Sequence, residues 1–185
     1  MLSVGDYAPS FILSSTDGSK FSSDALENKT ILYFYPRDET PLCTIEARGF
    51  SAAYDSLKDA GIEVVGVSAD DLESHNAFRE KEGIPYHLLC DTDNRIADLF
   101  EIPRYQNPPM DIFAKRTTFL LSTDKKILEV GGGIHLLTSF LNKEFNITSV
   151  EPGGFTGYTD ELRNQILGKN KLNVHTTTLE NFDTD

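Results

Sequence analysis

The feature that most constrains this chain is a pair of apolar runs separated by a helical pattern. Residues 31–36, ILYFYP, are continuously apolar or aromatic and end at a proline, as a strand buried on both faces does. Residues 63–69, EVVGVSA, read as a second buried strand. Between them, from Cys43 to Ala60, Ala47, Phe50, Tyr54 and Leu57 recur at three- and four-residue steps. Gly61 stands where a helix should stop, so the segment reads as one amphipathic helix. Strand and helix continue to alternate downstream. Asp70 or Asp71 can cap a helix through DLESHNAFREKEG, HLLC at 87–90 is a short strand, and NRIADLF at 94–100 is a short helix. TTFLLS and KILEV flank the STDKK turn as a hairpin, and PSFILSS with the TDGSKF turn suggests another at the amino terminus. The sum is an α/β layered domain: a mixed sheet with helices on both faces. Residues 102–115, IPRYQNPPMDIFAK, hold three prolines and little periodicity and read as a loop.

A chain of 185 residues is long enough for one well-buried domain. Its formal net charge of −12 argues against nucleic acid or an anionic membrane surface, which need clustered Lys and Arg. Small-molecule chemistry is the expectation. Without a basic, apolar leader or a run of membrane-spanning length, a cytoplasmic location is expected. Two cysteines without CxxC or paired Cys/His spacing make neither a disulfide framework nor a structural zinc site.

Each thiol must therefore be judged by its setting. The segment PRDETPLC, Pro36 to Cys43, follows the buried strand and ends where the helix begins. There the unsatisfied N–H groups and the positive end of the helix dipole favour a thiolate over a thiol, which makes a nucleophile. Taken singly, Cys43 reads as an inert buried thiol, Thr40 as a helix cap, Pro36 as a strand terminator and Arg116 as a surface charge. The four together resemble something more specific.

PxxxTxxC, carried here by Pro36, Thr40 and Cys43, resembles the peroxidatic motif of the peroxiredoxins. YFYPRDETPLCTIEA is similar to the bacterioferritin-comigratory, or PrxQ, branch, whose members begin with a GDxAPxF segment, here Gly5 to Phe11. RTTFLLSTDKKI at 116–127 resembles the family's later strand, which opens with an active-site arginine matched by Arg116. The likeness spans residues 3–127, so 1–127 is expected to be a peroxiredoxin domain with a thioredoxin-like fold, and 128–185 an atypical tail. It implies a thiol-dependent peroxidase: Cys43 attacks hydrogen peroxide or an alkyl hydroperoxide, Thr40 hydrogen-bonds the substrate, Pro36 shields the pocket, and Arg116 holds the thiolate and polarises the peroxide. Glu46 is an accessory candidate that would orient an arginine. No cofactor and no metal are implied, and the protein is expected as a monomer or homodimer.

Many members of the branch carry a second cysteine five residues after the first, where this chain has Arg48. An intrahelical disulfide is thereby ruled out. Cys90 is the other thiol; its bland reading is a small core side chain, its sharper one a resolving cysteine. The expected cycle uses one cysteine, with the sulfenic acid reduced by an external thiol such as thioredoxin, glutaredoxin or glutathione. A redox sensor that uses Cys43 stoichiometrically is the alternative.

After Lys126 the likeness changes. ILEVGGGIHLLTSFLNKEFNITSVEPGG resembles the opening of an S-adenosylmethionine-dependent methyltransferase, with Glu129, Gly131, Gly133 and Glu151 in matching places and His135 where a last glycine usually falls. Too few residues follow for a working domain of that kind. A truncated fusion, a diverged tail recruited for another role, such as holding S-adenosylmethionine or a nucleotide without catalysis, and a chance likeness in which KILEV closes the peroxiredoxin sheet all remain open; packing of the strand and a helix from His135 to Lys143 on the core is preferred. Beyond Pro152 the composition turns polar, with a helix at 159–167, a weak strand near Val174 and poor order expected. His75, His87, His135 and His175 are scattered and read as solvated surface, with no catalytic or metal role.

Overall fold

The computed structural model describes residues 2–106, 108 and 112–131. The expected helix of residues 135–143, the elements at 159–167 and near Val174, His135, His175, Gly133 and Glu151 all lie outside the described residues. In chain order the elements are β1 (Ile12–Ser15), β2 (Lys20–Ser22), a 3-10 turn (Ser23–Ala25), β3 (Lys29–Phe34), α1 (Pro41–Asp59), β4 (Ile62–Ser68), α2 (Leu72–Glu82), β5 (His87–Cys90), α3 (Arg95–Leu99), β6 (Thr117–Leu121) and β7 (Ile127–Gly131).

The strands form one mixed sheet in the order β2-β1-β5-β4-β3-β6-β7. β3, β4 and β5 run parallel, and β1 and β6 flank them antiparallel. The central strand starts two residues before the apolar run, because Lys29 and Thr30 already pair with Ile62 and Glu63. It also ends two residues short of Pro36. Tyr35 still donates its N–H to Val67 O at 3.0 Å, but a proline has no N–H with which to continue the ladder.

Alternation along the strands divides the core. Leu32, Phe34, Val65, Val67, Phe119 and Leu121 pack with Ile96, Ala97 and Phe100 around α3. Phe34, Phe100 and Phe119 meet there, with centroids 5.0–6.1 Å apart. On the other face lie Tyr33 and the α1 side chains. Cys43, Glu46, Ala47, Phe50 and Leu57 are the buried residues of α1, and their spacing is that of a single helical stripe. Phe50 stacks on Tyr33 at 4.6 Å; Tyr33 Oη lies 3.1 Å from Tyr86 Oη, which donates to Ala47 O at 3.0 Å. Gly66 makes room for this arrangement: a Cβ there would stand 2.7 Å from Leu88 and 2.8 Å from the Tyr33 ring.

Helix ends follow local chemistry. Asp71 caps α2 by accepting from Ser74 N–H at 2.9 Å, and Gly83 ends it in the left-handed region at φ 63°. The Asp91 carboxylate takes the Ile96 and Ala97 N–H groups at the start of α3. β7 pairs antiparallel with β6, so KILEV extends the edge of the sheet, and Glu129 and Gly131 occupy ladder positions opposite Leu120 and Thr118. Among the described residues no helix is long and apolar enough to cross a membrane.

Candidate active site

Three segments converge at one end of β3. The first is 35–40, which leaves the strand and carries the chain to α1. Pro36 is buried, Asp38 is 5% exposed, and Glu39 is left-handed at φ 57°. The second is the first turn of α1, with Thr40 at the N-cap and Pro41 in the first turn, where a missing N–H costs nothing. Cys43 follows on that turn, 2% exposed. The third is the start of β6: because Phe34 pairs with Thr117, Arg116 arrives beside the end of β3.

Arg116 uses both arms of its guanidinium. Nη2 donates to Cys43 Sγ at 3.1 Å, and Nη1 to the buried Glu46 Oε2. A fork of this kind presents a fixed positive charge to sulfur in a way a lysine could not. Glu46 Oε1 is buried and has no hydrogen-bond partner among the described residues. Thr40 occupies the cap by position only: its hydroxyl makes no cap bond and donates instead to Arg37 O at 3.2 Å. So Pro36, Thr40, Cys43 and Arg116 lie on or beside the three segments that meet here, and Glu46 reaches Arg116 from the second turn of α1.

Cys90 stands elsewhere, at the end of β5, registered with Ser14 and Ser68. It is half-buried and free, as Cys43 is free. Burial pushes its thiol up, and the carboxylates of Asp71, Asp38 and Asp70 add to the effect. Arg48, at the place of the missing second cysteine, donates Nε to Glu82 Oε2 at 2.7 Å and so ties α1 to the end of α2.

The expectation that His75 is solvated surface is wrong: it is 0% exposed. His75 sits three residues before Phe78, and these are the two buried residues of α2, a spacing that could have revealed it. His87 is partly exposed, with Nε2 3.9 Å from Asp17 Oδ2. Sequence reasoning also passed over Tyr105 in the proline-rich loop. Burial pushes its phenol up, and the charge of the Cys43 sulfur adds to that, while the Arg116 backbone N–H opposes it.

His75, Asp38 and Asp70 offer donor atoms within 4.8 Å of one another, a spacing that could suit a metal ion. Their atoms are already partnered. Asp38 Oδ1 accepts from Tyr35 at 2.7 Å and Oδ2 from Ser74 at 2.8 Å, His75 Nδ1 is 2.9 Å from Oδ2, and Asp70 Oδ2 accepts from Ser68 and from Asp38 N–H. A set satisfied within the protein is a structural network.

Comparison with known proteins places the chain in a family. The model of the AhpC/TSA family matches residues 4–130. The bcp peroxiredoxin of Coxiella burnetii is 38% identical over 136 residues, covering 70% of this chain and 87% of its own. Chloroplastic peroxiredoxin Q of Triticum aestivum is 40% identical over 129 residues, 68% of this chain and 56% of its own. Among solved structures, peroxidoxin BcpB from Mycobacterium tuberculosis matches with a TM-score of 0.66 at 30% identity, covering 72% of this chain and 87% of that one. A cysteine-to-serine mutant of Xylella fastidiosa PrxQ gives 0.65 at 27%, covering 70% and 85%. With the family model covering residues 4–130 and these relatives beside it, the chain belongs to the AhpC/TSA family, in the company of the bcp and Q-type peroxiredoxins.

Proposed function

We propose that the chain is a thiol-dependent peroxidase whose Cys43 thiolate reduces hydrogen peroxide and alkyl hydroperoxides. The observation that carries this reading is the Arg116 guanidinium 3.1 Å from Cys43 Sγ at the start of a helix. A sulfur lone pair forms the S–O bond as the O–O bond breaks. The leaving oxygen departs as hydroxide or alkoxide and takes a proton from solvent, and the sulfur is left as a sulfenic acid. Arg116 steadies the anionic sulfur and the charge passing to the leaving oxygen. Thr40, whose hydroxyl proton is committed to Arg37 O, keeps lone pairs to accept from the peroxide O–H, and buried Pro36 keeps water from the sulfur. Glu46 orients Arg116. No cofactor or metal is assigned.

The cycle is proposed to use one cysteine, with thioredoxin, glutaredoxin or glutathione as external reductant. Arg48 replaces the second thiol of the branch, and the protonated Cys90 thiol is a poor attacking group. Hydroperoxide and a reducing thiol are then the partners, with neither nucleic acid nor membrane, in a cytoplasmic monomer or homodimer. Residues 1–127 are read as the catalytic domain and 128–185 as an appended tail; the methyltransferase-like pattern is not assigned S-adenosylmethionine, since Glu129 and Gly131 belong to a sheet ladder.

Peroxide consumption with each reductant tests the reading. Cys43→Ser should abolish turnover and Cys90→Ser should retain it. Many turnovers per chain would exclude the stoichiometric sensor, and survival of activity in Cys43→Ser would falsify the assignment.

A further inference from the structure

The segment bearing Pro36 and Thr40 is short, polar and strained, yet the proposed chemistry needs it held still. Arg37 and Glu39 are exposed, and Glu39 adopts a left-handed backbone at φ 57°, a conformation that residues with a Cβ rarely take. Such a conformation persists only where its surroundings over-determine it. Asp38, in the middle, supplies the anchors. Its N–H goes to Asp70 Oδ2 at 2.9 Å, and its carboxylate meets Tyr35 of the segment itself and Ser74 and His75 of α2.

His75 links this anchor to the sheet. Nε2 lies 3.1 Å from Leu89 O, which can only accept, so Nε2 carries a proton and donates. At 2.9 Å, Nδ1 and Oδ2 tie the ring to the carboxylate. His75 is 0% exposed, so no water competes for that bond.

We propose that Asp38 and His75 are a buried positioning pair that sets the shape of the segment bearing Pro36 and Thr40 for peroxide attack at Cys43. This rests on the peroxidase reading. Neither side chain touches substrate. A displacement of about 1 Å in groups that orient a reacting pair can cost about a hundredfold in rate. The loss falls on the peroxide reaction, which uses Thr40 and Pro36, and spares simple alkylation of Cys43, which uses the thiolate alone.

Substitutions of different reach test the pairing. His75→Asn keeps a polar group near the place of Nδ1, facing Asp38, and gives up Leu89; His75→Gln reaches toward Leu89 and gives up Asp38. The second-order rate of Cys43 sulfenic acid formation by hydrogen peroxide should fall by about tenfold or more in His75→Gln and stay within about threefold in His75→Asn. Chloroacetamide alkylation of Cys43 should change little in either. Ser74→Ala, which removes a partly buried donor to the same oxygen, keeps the test open should His75→Gln not fold, and should show a smaller loss confined to peroxide. Equal loss in the Asn and Gln variants, parallel loss of peroxide and alkylation rates, or a wild-type-like His75→Gln with a wild-type-like Ser74→Ala would overturn the pair's role. A wild-type chain that consumed no peroxide would instead sink the peroxidase reading.

Discussion

Replacing Arg116 by methionine removes the guanidinium while keeping much of its apolar stem, and the structure allows the consequence to be worked out in two parts. The contact with sulfur is a charge-assisted hydrogen bond at 3.1 Å. At an effective dielectric of about 20 the bare attraction at that distance is about 5 kcal/mol, and the net value of such bonds is about 1.5–3 kcal/mol. With about 1.4 kcal/mol for each tenfold, the peroxide rate should fall about ten- to hundredfold. The second part concerns stability. Glu46, with a side chain 5% exposed, loses the cation on Oε2 while Oε1 already lacks a partner, and stranding a buried charge costs about 3–5 kcal/mol. Because the Arg116 side chain is 20% exposed, about 3 kcal/mol is the better figure. The two parts separate experimentally. Rapid quench with mass spectrometry of the Cys43 sulfenic acid reads the rate, and urea unfolding reads stability. Adding Glu46→Gln to Arg116→Met should restore most of the stability and none of the rate. Arg116→Lys should fall between, because one ammonium cannot serve sulfur and carboxylate together. A peroxide rate in Arg116→Met within threefold of wild type would refute the reasoning.

Gly66→Ala places a methyl 2.7–2.8 Å from Leu88 and Tyr33, and should lower the unfolding free energy by about 1–3 kcal/mol, read as a lower urea midpoint at unchanged slope; an unaltered midpoint would show that Tyr33 can move aside freely. Asp17 is held well below the ordinary carboxylate value of 3.8, chiefly by the hydroxyl and backbone N–H of Ser19. A lowered folded value means that its contribution is complete only above the unfolded value of 3.8 and is lost as pH falls from there towards the folded value. The stability gap between wild type and Asp17→Asn, measured by urea unfolding, should accordingly shrink between about pH 5 and pH 2, and a constant gap would contradict this. Cys90, pushed up by burial and by Asp71, Asp38 and Asp70, should alkylate slowly in Cys43→Ser at pH 8 and accelerate only above pH 9; rapid labelling at pH 8 would reopen a resolving role.

Much of the fold was legible because its signals are local. The runs at 31–36 and 63–69 carry strand character in their own residues, and the spacing of Ala47, Phe50 and Leu57 carries the helix between them. Cys43 at a helix start could be read the same way. The misreading of His75 has a physical reason: α2 buries only His75 and Phe78, so it shows almost no apolar stripe, and a histidine among charged residues looks solvated.

By itself the sequence determined the order of strands and helices, the polar segment between β3 and α1, and a thiol on the first turn of that helix. These depend on neighbours within a few residues, where periodicity, proline and caps act directly. Tertiary structure alone decided what surrounds the thiol. Arg116 meets Cys43 across 73 positions, Glu46 across 70, and Asp38 meets His75 across 37. Those meetings depend on the register of β3 with β6 and on how α2 lies over the sheet, which follow from packing the whole core rather than from any short stretch of chain.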